Sequence, residues 1–329
     1  MASILTAQPE LFYFGKFPSR GDFVKSTAGG PILQVFDQWI SQAIDMITPD
    51  PNWKAAYDAT PPLRFAFLGS RLQLVVTGTL MPSQDASGRR YPLVLATKLE
   101  TDSALDLLSE LPLVLSPFWQ ESILSSQQAL RETSDNIVLN SLQRPPTPIN
   151  NLGREERAQH DHFLRGTTVA MLEHSLSKAG YAFSLRQSML GLGLLLQPVI
   201  THGAGNLQRA LLFPLPADPI TAISVATFWL REVRGFLLRH EFEISVYLTQ
   251  VHDKPAMMVS FGGASPKALT MIICPDALSN YLVDISDSAW VEEYIDQDPG
   301  MRKLSSYLQH PDLSLAQATD TFNEVFLGW

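Results

Sequence analysis

One cysteine, Cys274, in 329 residues leaves no possibility of a disulfide within the chain. Charge is sparse as well. Only 17% of residues are charged, and 33 acids outnumber 24 lysines and arginines, for a formal net charge of −9. A nucleic-acid surface needs clustered Lys and Arg to neutralise phosphates, so no nucleic-acid partner is expected. Long apolar runs are missing too: the longest, such as Met189 to Leu196, is broken by glycine. It falls far short of the roughly 20 residues that span a bilayer, which argues against membrane insertion. The first ten residues, Met1 to Glu10, have neither a basic n-region nor a sustained apolar core. With the lone cysteine, this gives a cytoplasmic location as the expectation.

Catalytic equipment is equally thin. Of the seven histidines, His160 and His162 flank Asp161, but residues two apart on a helix point to different sides and share a metal poorly. Cys274 closes an apolar strand candidate before Pro275, the place of a buried small hydrophobe rather than a thiolate. Gly203-Ala204-Gly205-Asn206-Leu207-Gln208 lacks the third glycine of a dinucleotide loop, and Gly262-Gly263-Ala264-Ser265-Pro266-Lys267 lacks the Gly-Lys-Ser/Thr order of a phosphate loop. No Gly-x-Ser-x-Gly elbow occurs. Neither a catalytic residue nor a cofactor or metal is expected. An enzyme would have to be a hydrolase or phosphotransfer accessory working with loop Arg and Asp groups alone.

What the chain does have is two loops dense in turn chemistry. The first runs Phe14-Gly15-Lys16-Phe17-Pro18-Ser19-Arg20-Gly21-Asp22-Phe23; the second spans Leu80 to Leu93 and contains Pro82-Ser83-Gln84-Asp85-Ala86-Ser87-Gly88-Arg89-Arg90-Tyr91-Pro92. Gly, Pro, Ser and Asp at these spacings specify fixed turns, and fixed surface loops recognise partners more readily than they react. Arg20, Asp22, Asp85, Arg89 and Arg90 are the candidate partner-binding residues. They can equally serve to tie the two loops to each other, and Arg offers planar bidentate contacts for either use.

Between the loops, Ile32, Val35, Phe36, Trp39, Ile40, Ala43, Ile44 and Ile47 share one face of a helix over residues 31–47, with Pro31 in its first turn and Pro49 after its end. Trp39 belongs to its apolar face and is assigned to the core. Strands are predicted over 65–68, 72–80 and 91–97, then helices over 103–111 and 118–133. Arg144-Pro145-Pro146-Thr147-Pro148 breaks the pattern and marks a domain boundary. Beyond it the pattern predicts a polar helix over 154–178 closed by Gly180, strands over 181–185, 192–198 and 209–213, and a helix over 220–240. Strands over 242–249, 257–261 and 269–273 and a helix over 314–327 follow. The fold class is α/β: an N-terminal domain, 1–145, resembling a layered α/β/α sandwich, and a second mixed α/β domain, 154–329. A split α+β arrangement fits the same pattern. Asp284, Asp287, Glu292, Glu293, Asp296 and Asp298 form an acidic stretch, either a solvated face or a docking surface for a basic partner.

The order of the first loop, the helix with Phe36-Asp37-Gln38-Trp39-Ile40, then Trp53 and Tyr57, Leu63-Arg64-Phe65 and the second loop resembles TagF, also called ImpM, a family of accessory proteins of bacterial type VI secretion. The resemblance covers roughly the first hundred residues. It implies a non-enzymatic factor that holds secretion inactive after translation by binding the forkhead-associated scaffold protein, Fha. That action would run apart from the threonine kinase and phosphatase pathway. An adaptor that activates assembly is the alternative. Neither reading fixes an oligomeric state.

Overall fold

The computed structural model describes residues 5, 10–71, 73–132, 142 and 147–329. Of the sequence expectations, Leu72, Thr133, residues 144–146 and most of the first ten residues lie outside that set. Among the described residues nine strands form one mixed sheet: β1 (Glu10–Gly15), β2 (Val24–Lys25), β3 (Leu63–Gly69), β4 (Leu74–Met81), β5 (Leu93–Glu100), β6 (Ala210–Pro214), β7 (Glu243–Val251), β8 (Lys254–Phe261) and β9 (Leu282–Asp284). Their spatial order is β2-β1-β5-β4-β3-β7-β8-β6-β9. Every neighbouring pair is antiparallel except β6 and β9. The sheet is therefore continuous across the sequence division at 145–154, through the pairing of β3 with β7 from Arg64↔Leu248 to Gly69↔Glu243.

Helices cover both faces, giving the α/β layering. One face carries α1 (Gly30–Ile47) and α2 (Trp53–Ala59). The other carries α3 (Ala104–Leu108), α4 (Leu111–Arg131), α5 (Arg154–Gly166), α6 (Val169–Lys178), α7 (Leu185–His202) and α8 (Pro219–Leu237). The chain then adds α9 (Pro266–Ile273) to the first face and α10 (Glu292–Ile295), α11 (Pro299–Leu308) and α12 (Leu315–Phe326) to the second. On α1 the buried face is Leu33, Phe36, Trp39, Ile40, Ala43 and Ile47; Val35 turns outward, 50% exposed, and Leu33 takes its place. Trp39 is core, as assigned, and its indole N–H donates to Ser265 O at 3.1 Å. On the opposite face Phe118-Trp119 of α4 and Phe228-Trp229 of α8 are buried, and each indole N–H is satisfied, by Thr77 Oγ1 at 2.9 Å and Pro214 O at 3.3 Å.

Four sequence expectations are corrected. Residues 192–198 belong to α7, and the expected strand over 181–185 gives only its first residue; residues 269–273 belong to α9. In α9 residues 268–273 are all buried, and in α7 residues 188–193 are buried in succession, so neither run shows a helical period to read. Local caps decide them instead: Ser184 and Ser265 each accept a hydrogen bond from the backbone N–H three residues on. The polar helix over 154–178 divides into α5 and α6, since Thr168 caps a new helix and Val169 N–H donates to Leu313 O at 2.8 Å.

Candidate functional site

The two loops emerge at one end of the sheet because β1 and β4 both pair with β5, at Phe14↔Val94 and Met81↔Leu93. Their approach is close. Gly15 has φ +143°, and a Cβ there would lie 2.1 Å from Pro92 O, so only glycine lets the first loop leave β1 against the end of the second. The second loop closes as a small hairpin through the Gln84↔Arg90 bridge, with Gly88 at φ +80° in its turn.

Asp85 is the hub. Its side chain is shielded from solvent, and both oxygens are occupied. Oδ1 accepts from Ser87 N–H (2.9 Å), Ser87 Oγ (2.7 Å) and Arg89 N–H (3.0 Å), while Oδ2 accepts from Lys16 Nζ (2.9 Å) and Arg89 Nε (2.7 Å). Burial opposes ionisation, but the hydrogen bonds from Ser87, Lys16 and Arg89 outweigh it and hold the carboxyl far below the usual carboxylate range. Further bonds stitch loop to loop: Arg89 donates to Gly21 O at 2.6 Å, Ala86 N–H to Arg20 O at 2.8 Å and Ser83 Oγ to Lys16 O at 2.6 Å.

An aromatic group backs this hub. Phe14 and Phe23 stack at 5.4 Å, Tyr91 meets Phe23 edge-on at 4.7 Å, and Lys16 Nζ lies 5.0 Å from the Phe23 ring centre. Tyr91 OH donates to Asp37 Oδ1 of α1 at 2.8 Å, and burial with that bond raises its pKa. Beside it, Arg90 grips Asp58 of α2 through two bonds, at 2.8 and 2.6 Å. The buried Tyr57 hydroxyl bonds both the N–H and the C=O of Ser83 at 3.0 Å. The helices α1 and α2 are thereby fastened to the second loop.

The candidate residues thus fall into distinct positions. Asp85, Arg89 and the backbone of Arg20 form the link between the loops. Asp22 is exposed, and its Oδ1 accepts from Phe23 N–H at 2.8 Å. Arg90 faces α2 instead. Sequence reading missed Lys16, the second cation on Asp85, along with Asp58 and Phe23. Lys16 carried one signal, a cation set between Phe14 and Phe17, but its partner is 69 residues away.

The remaining chemistry is structural. Cys274 follows the end of α9, not a strand, and burial, with Asp50 and Asp276 nearby, pushes its thiol up, away from thiolate. His160 is buried beside Phe163, and both its ring nitrogens lack partners among the described residues. Burial and Arg231 lower its pKa to about 4, so it is neutral. Among the described residues no group of three or more His, Cys, Asp or Glu is arranged to hold a metal ion, and no helix is long and apolar enough to cross a membrane. Within the acidic stretch, Glu292 pairs with Arg186, Asp298 caps α11 and Asp284 holds a turn through Ser286.

The family described as TagF N-terminal domain, Type VI secretion system-associated, matches residues 12–144, a span that contains both loops, α1, α2 and β3 to β5. Among solved structures, the crystal structure of PA0076 from Pseudomonas aeruginosa PAO1 is similar, with a TM-score of 0.48 and 17% identity over 81% of this chain and 95% of that one. No curated protein sequence is significantly similar to the chain.

Proposed function

We propose, from the match of residues 12–144 to the TagF N-terminal domain family described as type VI secretion system-associated, that the chain is a non-enzymatic, post-translational repressor of that system. It acts in the cytoplasm by binding the forkhead-associated scaffold protein. The observation that carries a binding role is the fixed loop pair: Asp85, Lys16 and Arg89 spend their charges holding two loops in one shape. Pre-ordered surface of this kind binds without a further ordering cost. A carboxylate saturated by five donors is a poor proton carrier, which speaks against the loop Asp and Arg groups as catalysts. Repression needs only a higher affinity for the unassembled scaffold than for the assembled one, which depletes the pool available for assembly. Residues 1–145 would carry the contact and residues 154–329 complete the sheet beneath it.

The test is secretion itself. Overproducing the protein in a cell with an active type VI system should reduce export of the tube protein, and deletion should raise it or leave it unchanged. A clear drop on deletion would replace the repressor with an activating adaptor. Turnover of nucleotide or phosphothreonine by purified protein, lost on changing one loop residue with the fold intact, would replace it with an enzyme.

A further inference from the structure

Arg64 belongs to the Leu63-Arg64-Phe65 motif, yet the loop pair makes no use of it. It stands on β3, partly buried, directly opposite Thr79 of β4 and Leu248 of β7, so all three side chains leave the same face of the sheet. Leu248, with Ala66 and Val246, marks that face as the one under α4 and α8. Among the described residues no hydrogen bond, ion pair or ring contact reaches the guanidinium, and burial alone pulls its pKa below the ordinary arginine value with no carboxylate to offset it. Arginine does not escape by losing its proton. A charge withdrawn from water therefore lacks the counter-charge that such burial calls for.

Two hydroxyls beside it share its condition. Thr77 and Thr79 lie two residues apart on this face, and only the first is satisfied: Thr77 Oγ1 donates to Phe65 O at 2.7 Å and accepts the Trp119 indole N–H at 2.9 Å, whereas Thr79 Oγ1 is buried without a partner. The second hydroxyl comes from α4. Trp119, Ser122, Ser126 and Ala129 form a buried stripe on that helix at helical spacing. Trp119 is fixed over Thr77, and Ala129 shares a cluster with Leu93 and Leu95, the latter opposite Thr79. Ser126 therefore falls over the Thr79 end of the strands, and its Oγ is likewise buried and unpartnered. The carboxylates in this half of α4 are Glu121, which accepts from Thr147 N–H at 2.7 Å, and Glu132, at the helix end. A cation and two hydroxyls thus gather between sheet and helix, and no acid joins them.

We propose that Arg64, Thr79 and Ser126 form a binding site for a phosphate group on the sheet beneath α4. The guanidinium fork takes two of its oxygens side by side. Thr79 from the sheet and Ser126 from the helix donate to the others, outside the plane of the fork, which a tetrahedral oxyanion accommodates and a flat carboxylate with two oxygens does not. Arg64, partly exposed, is the side open to solvent.

The test titrates the full-length chain with inorganic phosphate, glycerol 3-phosphate and acetate at constant ionic strength, by calorimetry with thermal melts alongside, in the wild type and in the Arg64→Met, Thr79→Val and Ser126→Ala variants. The wild-type melt should rise with phosphate concentration, as binding to the folded state requires. Arg64→Met should lose roughly tenfold or more in phosphate affinity, and each hydroxyl variant about fivefold. In phosphate-free buffer Arg64→Met should melt at or above the wild type, since it removes an unpaired charge from a buried place. A wild type unmoved by either phosphate would overturn the site, and so would a rise of equal size in all three variants. Acetate bound as tightly as phosphate would overturn the choice of a tetrahedral oxyanion. Tighter binding of glycerol 3-phosphate than of inorganic phosphate would identify the ligand as a phosphoryl group carried on a larger molecule, and the reverse order as the free ion. Should Arg64→Met fail to fold, Thr79→Val and Ser126→Ala decide the matter in the same titration: weakened phosphate binding supports the site, and wild-type affinity in both overturns it.

Discussion

Two buried carboxyl groups show how environment sets charge. Asp85 is surrounded by donors and stays ionised; Glu232, on α8, is fully buried with Thr319 donating to one oxygen and no partner for the other among the described residues. Burial raises the Glu232 pKa to about 7, outweighing Thr319 and Arg231 on the lowering side, while Asp320 adds to the rise. The signs are opposite. The folded pKa of Asp85 is depressed, so its contribution is present above the ordinary aspartate value, about 4, and is lost as pH falls toward the folded value. That of Glu232 is raised, so its contribution is complete below the ordinary glutamate value and is lost as pH rises through about 7. Urea midpoints from pH 3 to pH 8 should therefore separate two variants. Glu232→Gln should remove an alkaline loss of roughly 3 kcal/mol between pH 5 and pH 8. Asp85→Asn should lower stability at pH 6, since it leaves the buried Lys16 without its counter-charge, and should flatten the fall below about pH 4. Profiles parallel to wild type in both variants would refute this account. Of these residues, sequence singled out Asp85 through its turn spacing. Lys16 and Glu232 owe their character to partners 69 and 87 residues away, which no local spacing encodes.

Among the elements, α7 owes its place to its glycines. A Cβ on Gly193 would lie 2.2 Å from the Phe326 ring of α12, and one on Gly191 would lie 2.7 Å from Ser288 Oγ. Alanine is the better helix former by about 1 kcal/mol, but here overpacking wins. Gly193→Ala should destabilise by about 1 to 3 kcal/mol, whereas Gly205→Ala, with open space around it, should stay within about 0.5 kcal/mol. Chemical denaturation of both variants tests this, and a stabilised Gly193→Ala would show that α12 yields. The same close packing explains why Leu192 to Pro198 reads as a strand in sequence: glycine interrupts the helical stripe, and leucines on every side erase its period. Where one face meets solvent, as on α1, the periodicity was legible apart from Val35 and Leu33, which exchange places.

At the scale of the whole molecule, the shared sheet makes the halves depend on each other. A chain ending near residue 145 would strip β3 of β7 along Arg64 to Gly69 and leave the buried side of α4 without α8. An unpaired hydrophobic edge of that length invites association. The fragment should elute as aggregate or melt without cooperativity, read by size exclusion and near-ultraviolet circular dichroism; a monomer unfolding cooperatively would show that residues 1–145 are self-sufficient.

By itself the sequence determined the α/β class, α1, the strands β3 to β5 and the turn chemistry of both loops, because each of these depends on residues a few positions apart and on one solvated side. Only the tertiary structure decided that α7 and α9 are helices, that Lys16 and Arg89 share Asp85, that Phe23 stays at the surface and that one sheet spans both halves. Those outcomes come from burial on all sides and from pairing between distant segments, and close packing chooses among partners that local periodicity leaves equivalent.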